Sequence, residues 1–429
     1  MLFAWDSNLK LLVIFKNCIN FLLINLSRLY VIKKVCLVVN TNYYESKSYF
    51  TQKLHEAFLR AGIESRIVKY GTFYTPEEME RLRQEKPDLT ISFNTILPMS
   101  GGEYISDFLH IPHLSIHVDP ALYVLPLIKS PYAIISCVDK FDCETLKKSG
   151  FNNYFFLPHA VEKEMKHNPA SNRPLDVVFF GTCYDYEALR ENWEKKYPRA
   201  VCRVIEDAIE LNQKNLSLPF FEVFEEVWKL SKLDPTGIDL AELAFYVDFY
   251  VRGLDRVELL RAINDVEVHV YGSVGEGFYG SMVKGWEYYL AGKSNVIIHP
   301  SVLLDKTFEI LKQAKVSLNS MPFFKNGSHD RIFSGLACGS LVLSTENIYI
   351  RENFLENEGV EFYRPKEWHK VNEVLSPYLK DENKRVEAVS KGQQKVLQNH
   401  TWDNRVQTIL KEVPPILERI YEDNIDIHI

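Results

Sequence analysis

What the chain lacks narrows it first. Its seven cysteines, Cys18, Cys36, Cys137, Cys143, Cys183, Cys202 and Cys338, are odd in number and scattered. No two stand at the two-residue spacing of a zinc or thiol-redox pair. Such usage fits a reducing cytosol and excludes a disulfide framework as the main support. Basic runs do not exceed pairs such as Lys147-Lys148 and Lys195-Lys196, and the net charge is -7. A phosphate backbone wants clustered Lys and Arg, so no nucleic-acid partner is expected. A strict Asp-x-Asp metal motif is missing. The nearest approach, Asp185-Tyr186-Glu187, stands where carboxylates favour the first turn of a helix. No metal and no cofactor are therefore expected. Long apolar runs are also missing: Lys16, Asn17, Asn20, Asn25 and Arg28 break residues 11–32 into runs of five or fewer. A spanning helix needs about 20. Residues 1–30 are set apart as an N-terminal apolar extension, with peripheral membrane contact left open.

What is present is a long α/β pattern. At 429 residues, 46% hydrophobic and 25% charged, the chain exceeds one ordinary core, so two domains are expected. From residue 33, short apolar runs alternate with amphipathic stretches. Strands are expected at 33–40, 64–70, 87–93, 113–117, 132–137 and 153–157, which assigns residues 31–165 to a first Rossmann-like domain. The pattern restarts after a polar linker at 166–174. Strands at 175–181, 266–272, 295–299, 315–319 and 341–345 place a second such domain at 175–412. A helix-rich segment at 184–265 reads as a helical insertion, and 413–429, after Pro414-Pro415, as a C-terminal helix and tail. Two facing parallel sheets enclose a cleft at their strands' carboxyl ends.

Residues 319–347 carry the most chemistry. A strand ends at Asn319, and after a loop Ser328 stands where a helix N-cap is expected, with the helix running over 329–338 to Gly339. A helix N-terminus offers free N–H groups to an anion, and His329, Asp330 and Arg331 share that first turn. Arg suits phosphate because its planar fork bonds bidentately. A capped helix whose Arg331 pairs with a surface carboxylate is the plainer alternative. Gly181 and the glycine turn from Gly272 to Gly277 would let the backbone approach a phosphate, or simply form tight turns. His299 closes the domain's third strand. In the first domain, His117 and Asp119 stand at a strand's carboxyl end, as acceptor-side catalytic candidates or as a hydrogen-bonded turn around Pro120. Ser100 to Glu103 and His159 are weaker candidates.

The run GSHDRIFSGLACGSLVLST (327–345) is similar to the C-terminal signature of the group 1 glycosyltransferases, particularly the branch related to the CgeB spore-maturation proteins. FLPHAVE (156–162), LDVVFFGT (175–182) and HTWDNRVQTIL (400–410) extend the resemblance. It implies a GT-B architecture and metal-independent, retaining transfer of a sugar from a nucleotide-diphosphate sugar to a glycan, lipid or protein acceptor. It also implies that the nucleotide base is received near His299 and the diphosphate near Ser328 to Arg331. Many relatives carry a Glu that holds the ribose hydroxyls where this chain has Ser334, so Glu346 is expected to help hold the donor. A non-catalytic nucleotide or glycan binder, or a sugar-nucleotide epimerase of similar form, stays open as an alternative.

Overall fold

The computed structural model describes residues 30–40, 45–70, 75–94, 104–272 and 284–425. The first domain runs β1 (Lys34–Asn40), α1 (Glu45–Arg60), β2 (Glu64–Tyr70), α2 (Pro76–Glu85), β3 (Leu89–Phe93), α3 (Ile105–Leu109), β4 (His113–His117), β5 (Ala133–Cys137), α4 (Lys140–Lys148) and β6 (Tyr154–Phe156). The second opens with β7 (Leu175–Phe180). Four insertion helices follow: α5 (Tyr186–Lys196), α6 (Arg199–Lys214), α7 (Phe220–Ser231) and α8 (Leu240–Ala262). It continues through β8 (Val268–Tyr271), α9 (Trp286–Tyr289), β9 (Val296–His299), α10 (Leu304–Leu311), β10 (Ala314–Asn319), α11 (Asp330–Ala337), β11 (Leu341–Thr345), α12 (Ile348–Asn353) and β12 (Val360–Tyr363). Helices α13 (Val371–Lys380), α14 (Glu382–Asn399) and α15 (Trp402–Ile425) close the chain.

Both sheets are six-stranded and parallel, in the orders β2-β1-β3-β4-β5-β6 and β12-β11-β10-β7-β8-β9. Strands β3, β4, β5 and β11 are buried at every position, as strands covered on both faces must be. The winding direction reverses between β1 and β3, and between β7 and β10. Those two points are where a doubly wound sheet opens a ligand crevice. Strand β12 escapes the sequence pattern because Val360–Tyr363 is only four residues, with a glutamate inside it, at the sheet's edge.

The expected break at Pro414-Pro415 is absent, which corrects the domain boundary there. Helix α15 runs through both prolines. They leave the carbonyls of Leu410 and Lys411 without their helical donors. The helix persists because Val413, Ile416, Leu417 and Ile420 are buried in the first domain's core with Val35, Leu54 and Ile91. Trp402, Val406 and Ile409 sit in the same core, so residues 402–412 return to the first domain rather than completing the second. The crossing is pinned where Val161 donates to the His400 carbonyl at 2.9 Å and Trp402 donates back to the Val161 carbonyl at 3.1 Å. No helix among the described residues is long and apolar enough to cross a membrane, and residues 1–29 lie outside them.

Among the described residues, burial holds four histidines furthest toward the neutral ring. His113 sits between the Thr90 and Ser92 hydroxyls, each at 2.8 Å, and burial pushes it down to about 4. Burial likewise pushes His117, His159 and His400 down to about 3. Each binds a proton in the unfolded chain near its ordinary value of 6.5 but not in the fold. Their stabilisation is full above pH 6.5 and is lost as pH falls toward 3 to 4. Asp139, Asp142, Asp255 and Glu361, raised by burial, weigh the other way, while His55, His167, His299 and His329, also lowered by burial, add to the four. Urea-unfolding stability is therefore expected to fall between pH 7 and 5; a flat profile there would contradict the neutral assignment.

Candidate functional site

The crevice of the second sheet opens into a cleft of about 410 Å3 between the domains. Gly181, Thr182, Tyr271 and Gly272, at the ends of β7 and β8, form one wall together with the start of α11. Ser46, Lys47, Asn94 and Asp119 of the first domain face them.

Helix α11 begins one residue later than expected, and its cap differs. His329 is the N-cap, with its Nδ1 3.4 Å from the Arg331 backbone nitrogen. Ser328 is fully buried and committed to the first domain. Its Oγ accepts the His159 N–H at 2.8 Å and lies 3.1 Å from the His159 ring, while its own N–H donates to the Val138 carbonyl at 2.9 Å. The loop before it is joined to the same place. Asn326 donates to Asp139 Oδ2 at 3.0 Å, and Lys140 donates to the Asn326 carbonyl at 3.0 Å. Gly327 allows this approach, since a Cβ there would lie 2.4 Å from the Val138 carbonyl oxygen.

At the start of α11, Asp330 Oδ1 lies 2.9 Å from His329 Nδ1. Burial alone would raise the Asp330 carboxyl, but the charge and hydrogen bond of His329, with Arg331 beside it, hold it well below the usual carboxylate range. Arg331 lines the cleft, and its Nη1 is buried without a hydrogen-bond partner. A second arginine stands near it. Arg256 of α8 is almost wholly buried, donates Nη1 to the Thr182 carbonyl at 2.7 Å and lies over the Tyr184 ring. Its Nε has no partner. Burial, aided by the nearby Arg331 and Arg252, pushes it down to about 10, still protonated at neutral pH. Arg331 thus lines the cleft beside a helix N-terminus, the arrangement that suits an anion, while Arg256 packs behind the wall formed by Thr182 and is not itself a lining residue. Arg256 was not legible as a site residue, because it lies in the insertion. The available signal was Arg252 and Arg256, four residues apart on one helical face.

The glycines act by close packing. A Cβ on Gly272 would lie 1.9 Å from the Gly181 carbonyl oxygen, and one on Gly181 would meet the Phe179 ring at 2.9 Å and Arg256 Nη1 at 3.6 Å. Gly275, Gly277 and residues 100–103 lie outside the described residues. His299 stacks on Tyr271 with ring centres 4.4 Å apart, and its Nε2 lies 2.9 Å from His269 Nδ1. It supports a cleft-wall aromatic without lining the wall itself.

Three other expectations change. Ser334 lines the cleft, but its hydroxyl donates to the Asp330 carbonyl at 2.9 Å, one turn back in the same helix. Glu346 does not line the cleft. It stands at the end of β11, two strands from β7, where its carboxylate takes Arg351 and Arg364. His117 is 1% exposed, bonds Ser115 Oγ at 2.8 Å through Nε2, and does not reach the cleft wall. His113, Ser115 and His117 share one face of β4 by strand alternation. Asp119, two residues further, does line the wall and accepts from Asn94 Nδ2 at 2.7 Å. Asp185 caps α5 and also accepts from the Lys284 N–H and the Tyr289 hydroxyl, so its carboxylate is occupied structurally. Among the described residues, no three His, Cys, Asp or Glu side chains group closely enough to hold a metal ion.

Residues 255–411 match the family described as Glycosyl transferase-like. No curated protein matches the chain. Among solved structures, sucrose-phosphate synthase from Thermosynechococcus elongatus is 10% identical, with 91% of this chain and 100% of that one covered and a TM-score of 0.52. AviGT4, a glycosyltransferase involved in avilamycin A biosynthesis, is 12% identical over 90% and 98% of the two chains, with a TM-score of 0.51. HepE from Anabaena, in complex with UDP-glucose, is 10% identical over 89% and 99%, with a TM-score of 0.51. Two parallel six-stranded sheets facing a shared cleft, with a last helix crossing back to the first domain, give this chain the GT-B glycosyltransferase fold, and its residues 255–411 resemble the Glycosyl transferase-like family.

Proposed function

We propose that the chain transfers a sugar from a nucleotide-diphosphate sugar to a hydroxyl acceptor, with the diphosphate held between Arg331 and the first N–H groups of α11. The carrying observation is Arg331, which lines the cleft at the β7–β10 switch point with a buried, unpartnered nitrogen, backed by Arg256 behind the Thr182 wall. A UDP-glucose complex of a protein sharing the fold supports a nucleotide-sugar donor. The run 327–345 supports the narrower kinship with the CgeB-related branch. In the reaction, the bond from the anomeric carbon to the diphosphate oxygen breaks with its electron pair on the leaving group. The acceptor oxygen bonds that carbon and gives up its proton to the Asp119 carboxylate. The arginines and the helix dipole offset the charge on the departing diphosphate, which makes a metal ion and any resident cofactor unnecessary. Retention of configuration follows from the group 1 resemblance, and the reduced cysteines favour a cytoplasmic location.

Asp119 is assigned as the acceptor-side carboxylate, because it faces the cleft and His117 does not. Asp119→Asn is expected to lower kcat by about 100-fold with little change in donor affinity. Steady-state kinetics checks it, and an unchanged kcat removes Asp119 from the chemistry.

Thermal shift and hydrolysis across UDP-, GDP-, ADP- and dTDP-sugars test the whole reading. At least one donor is expected to stabilise the protein; binding by none would sink the proposal. A second reading rests on Ser334. Its hydroxyl is turned into its own helix, so no carboxylate occupies the position where many relatives hold the ribose. Donor binding without turnover across a broad acceptor set would favour a non-catalytic binder.

A further inference from the structure

A second cavity, of about 640 Å3, opens at the carboxyl ends of β11 and β12, against the end of α6. It shares no lining residue with the cleft. Arg351, Arg364, Lys366 and Lys214 line it, opposed by Glu346 and Glu367. Outside the cavity, Glu210 takes Lys214 at 2.5 Å and Lys370 takes Glu367 at 2.8 Å. Lys366 also stands 4.0 Å from Glu210, so the two arginines, facing the Glu346 carboxylate inside the cavity, are its main positive groups on a chain of net charge -7.

The two arginines are held, not loose. Glu346, with 13% of its side chain exposed, accepts Arg351 Nε at 2.6 Å and Arg364 Nη2 at 3.2 Å, and also binds Arg364 Nε. Arg351 is further fixed 4.4 Å above the Phe362 ring. These bonds leave both terminal nitrogens of Arg351 and Nη1 of Arg364 for an anion. Beside them Gln213, only 5% exposed, lines the cavity with an amide nitrogen that has no partner. A buried amide donor left unpaired is costly unless something bonds it.

We propose that this cavity binds a phosphorylated sugar, with the phosphate on the Arg351–Arg364 pair and ring hydroxyls on Gln213 and Ser217. The chemistry follows from the parts. Preorganised guanidinium forks suit a phosphate, amide and hydroxyl groups suit sugar hydroxyls, and the volume lies in the range of small-molecule sites. The site is independent of the donor assignment, since none of the cleft residues enters it.

Calorimetric titration of the full chain with glucose 6-phosphate, inorganic phosphate and glucose tests it. Glucose 6-phosphate is expected to bind, and more tightly than either other probe. Arg364→Ala and Arg351→Ala are each expected to weaken it at least about tenfold, while Arg331→Ala leaves it unchanged. Arg364 is more than half exposed, so its removal spares the fold, and an unchanged melting temperature verifies that. The proposal is overturned if glucose 6-phosphate does not bind, if inorganic phosphate binds as tightly, or if Arg331→Ala abolishes binding while Arg364→Ala does not.

Discussion

Arg331→Ala lowers sugar-transfer turnover by about 100-fold, roughly 3 kcal/mol in the barrier, with no loss of thermal stability. The magnitude is that of removing one preorganised donor from developing charge. The unchanged stability follows from the surroundings. Arg331 Nη1 has no partner to lose, and the Arg331 charge, which favours the Asp330 carboxylate, works against that of nearby Arg256, so the two charge effects oppose each other. Removing it relieves a like-charge contact that the fold otherwise tolerates. Arg256→Ala is expected to reduce turnover comparably but also to destabilise the protein, because Arg256 Nη1 is bonded to the Thr182 carbonyl. The double variant should lose less than the product of the two, since both groups act on one diphosphate. Kinetics and melting curves of the three variants check this. Donor affinity and turnover unchanged in Arg331→Ala would remove the anion site from the account.

Gly327→Val has the second largest expected effect, and it acts through the domain seam. The Cβ would sit 2.4 Å from the Val138 carbonyl oxygen and 2.6 Å from Asp139 Cα, both backbone atoms that cannot swing aside. The seam must part, which strains the bonds from Asn326 to Asp139, from Lys140 to Asn326 and from Ser328 to Val138. Overpacking of this kind costs about 1–3 kcal/mol. The loop leads directly into His329 and the start of α11, so displacement there also misplaces the diphosphate site. Misplacement of about 1 Å costs on the order of 100-fold in rate. Melting temperature and kcat are expected to fall together. Near-native values for both would show that the contact is dispensable.

The sheets were legible because each strand is a short apolar run bounded by polar turns, and a strand buried on both faces has no other composition open to it. Eleven of the strands stand where the pattern puts them; β12, short and charged at the edge, gives too little signal. The return of α15 to the first domain was not legible. Two consecutive prolines read locally as a stop, and only a packing surface more than 300 residues earlier in the chain, around Val35 and Leu54, overrides them. The candidate site divides in the same way. Arg331 and Asp330 stand at the cleft wall, as expected from a helix N-terminus after a glycine-containing loop, which is a local signal. Ser328 has the right residue type for a cap, but partners from the other domain claim it. Glu346 and His117 were read from position along the chain, whereas their directions are set by Arg351 and Arg364 in one case and by strand alternation in the other. Arg256 packs behind the cleft wall from an insertion whose fold has no local signature of ligand binding.

A structure of the protein with a nucleotide-diphosphate sugar tests the central claim most directly. The account predicts the diphosphate at the β7–β10 crevice, its oxygens about 2.7–3.2 Å from Arg331 Nη1 and from the first N–H groups of α11. A donor bound elsewhere, with Arg331 touching no phosphate, would contradict it.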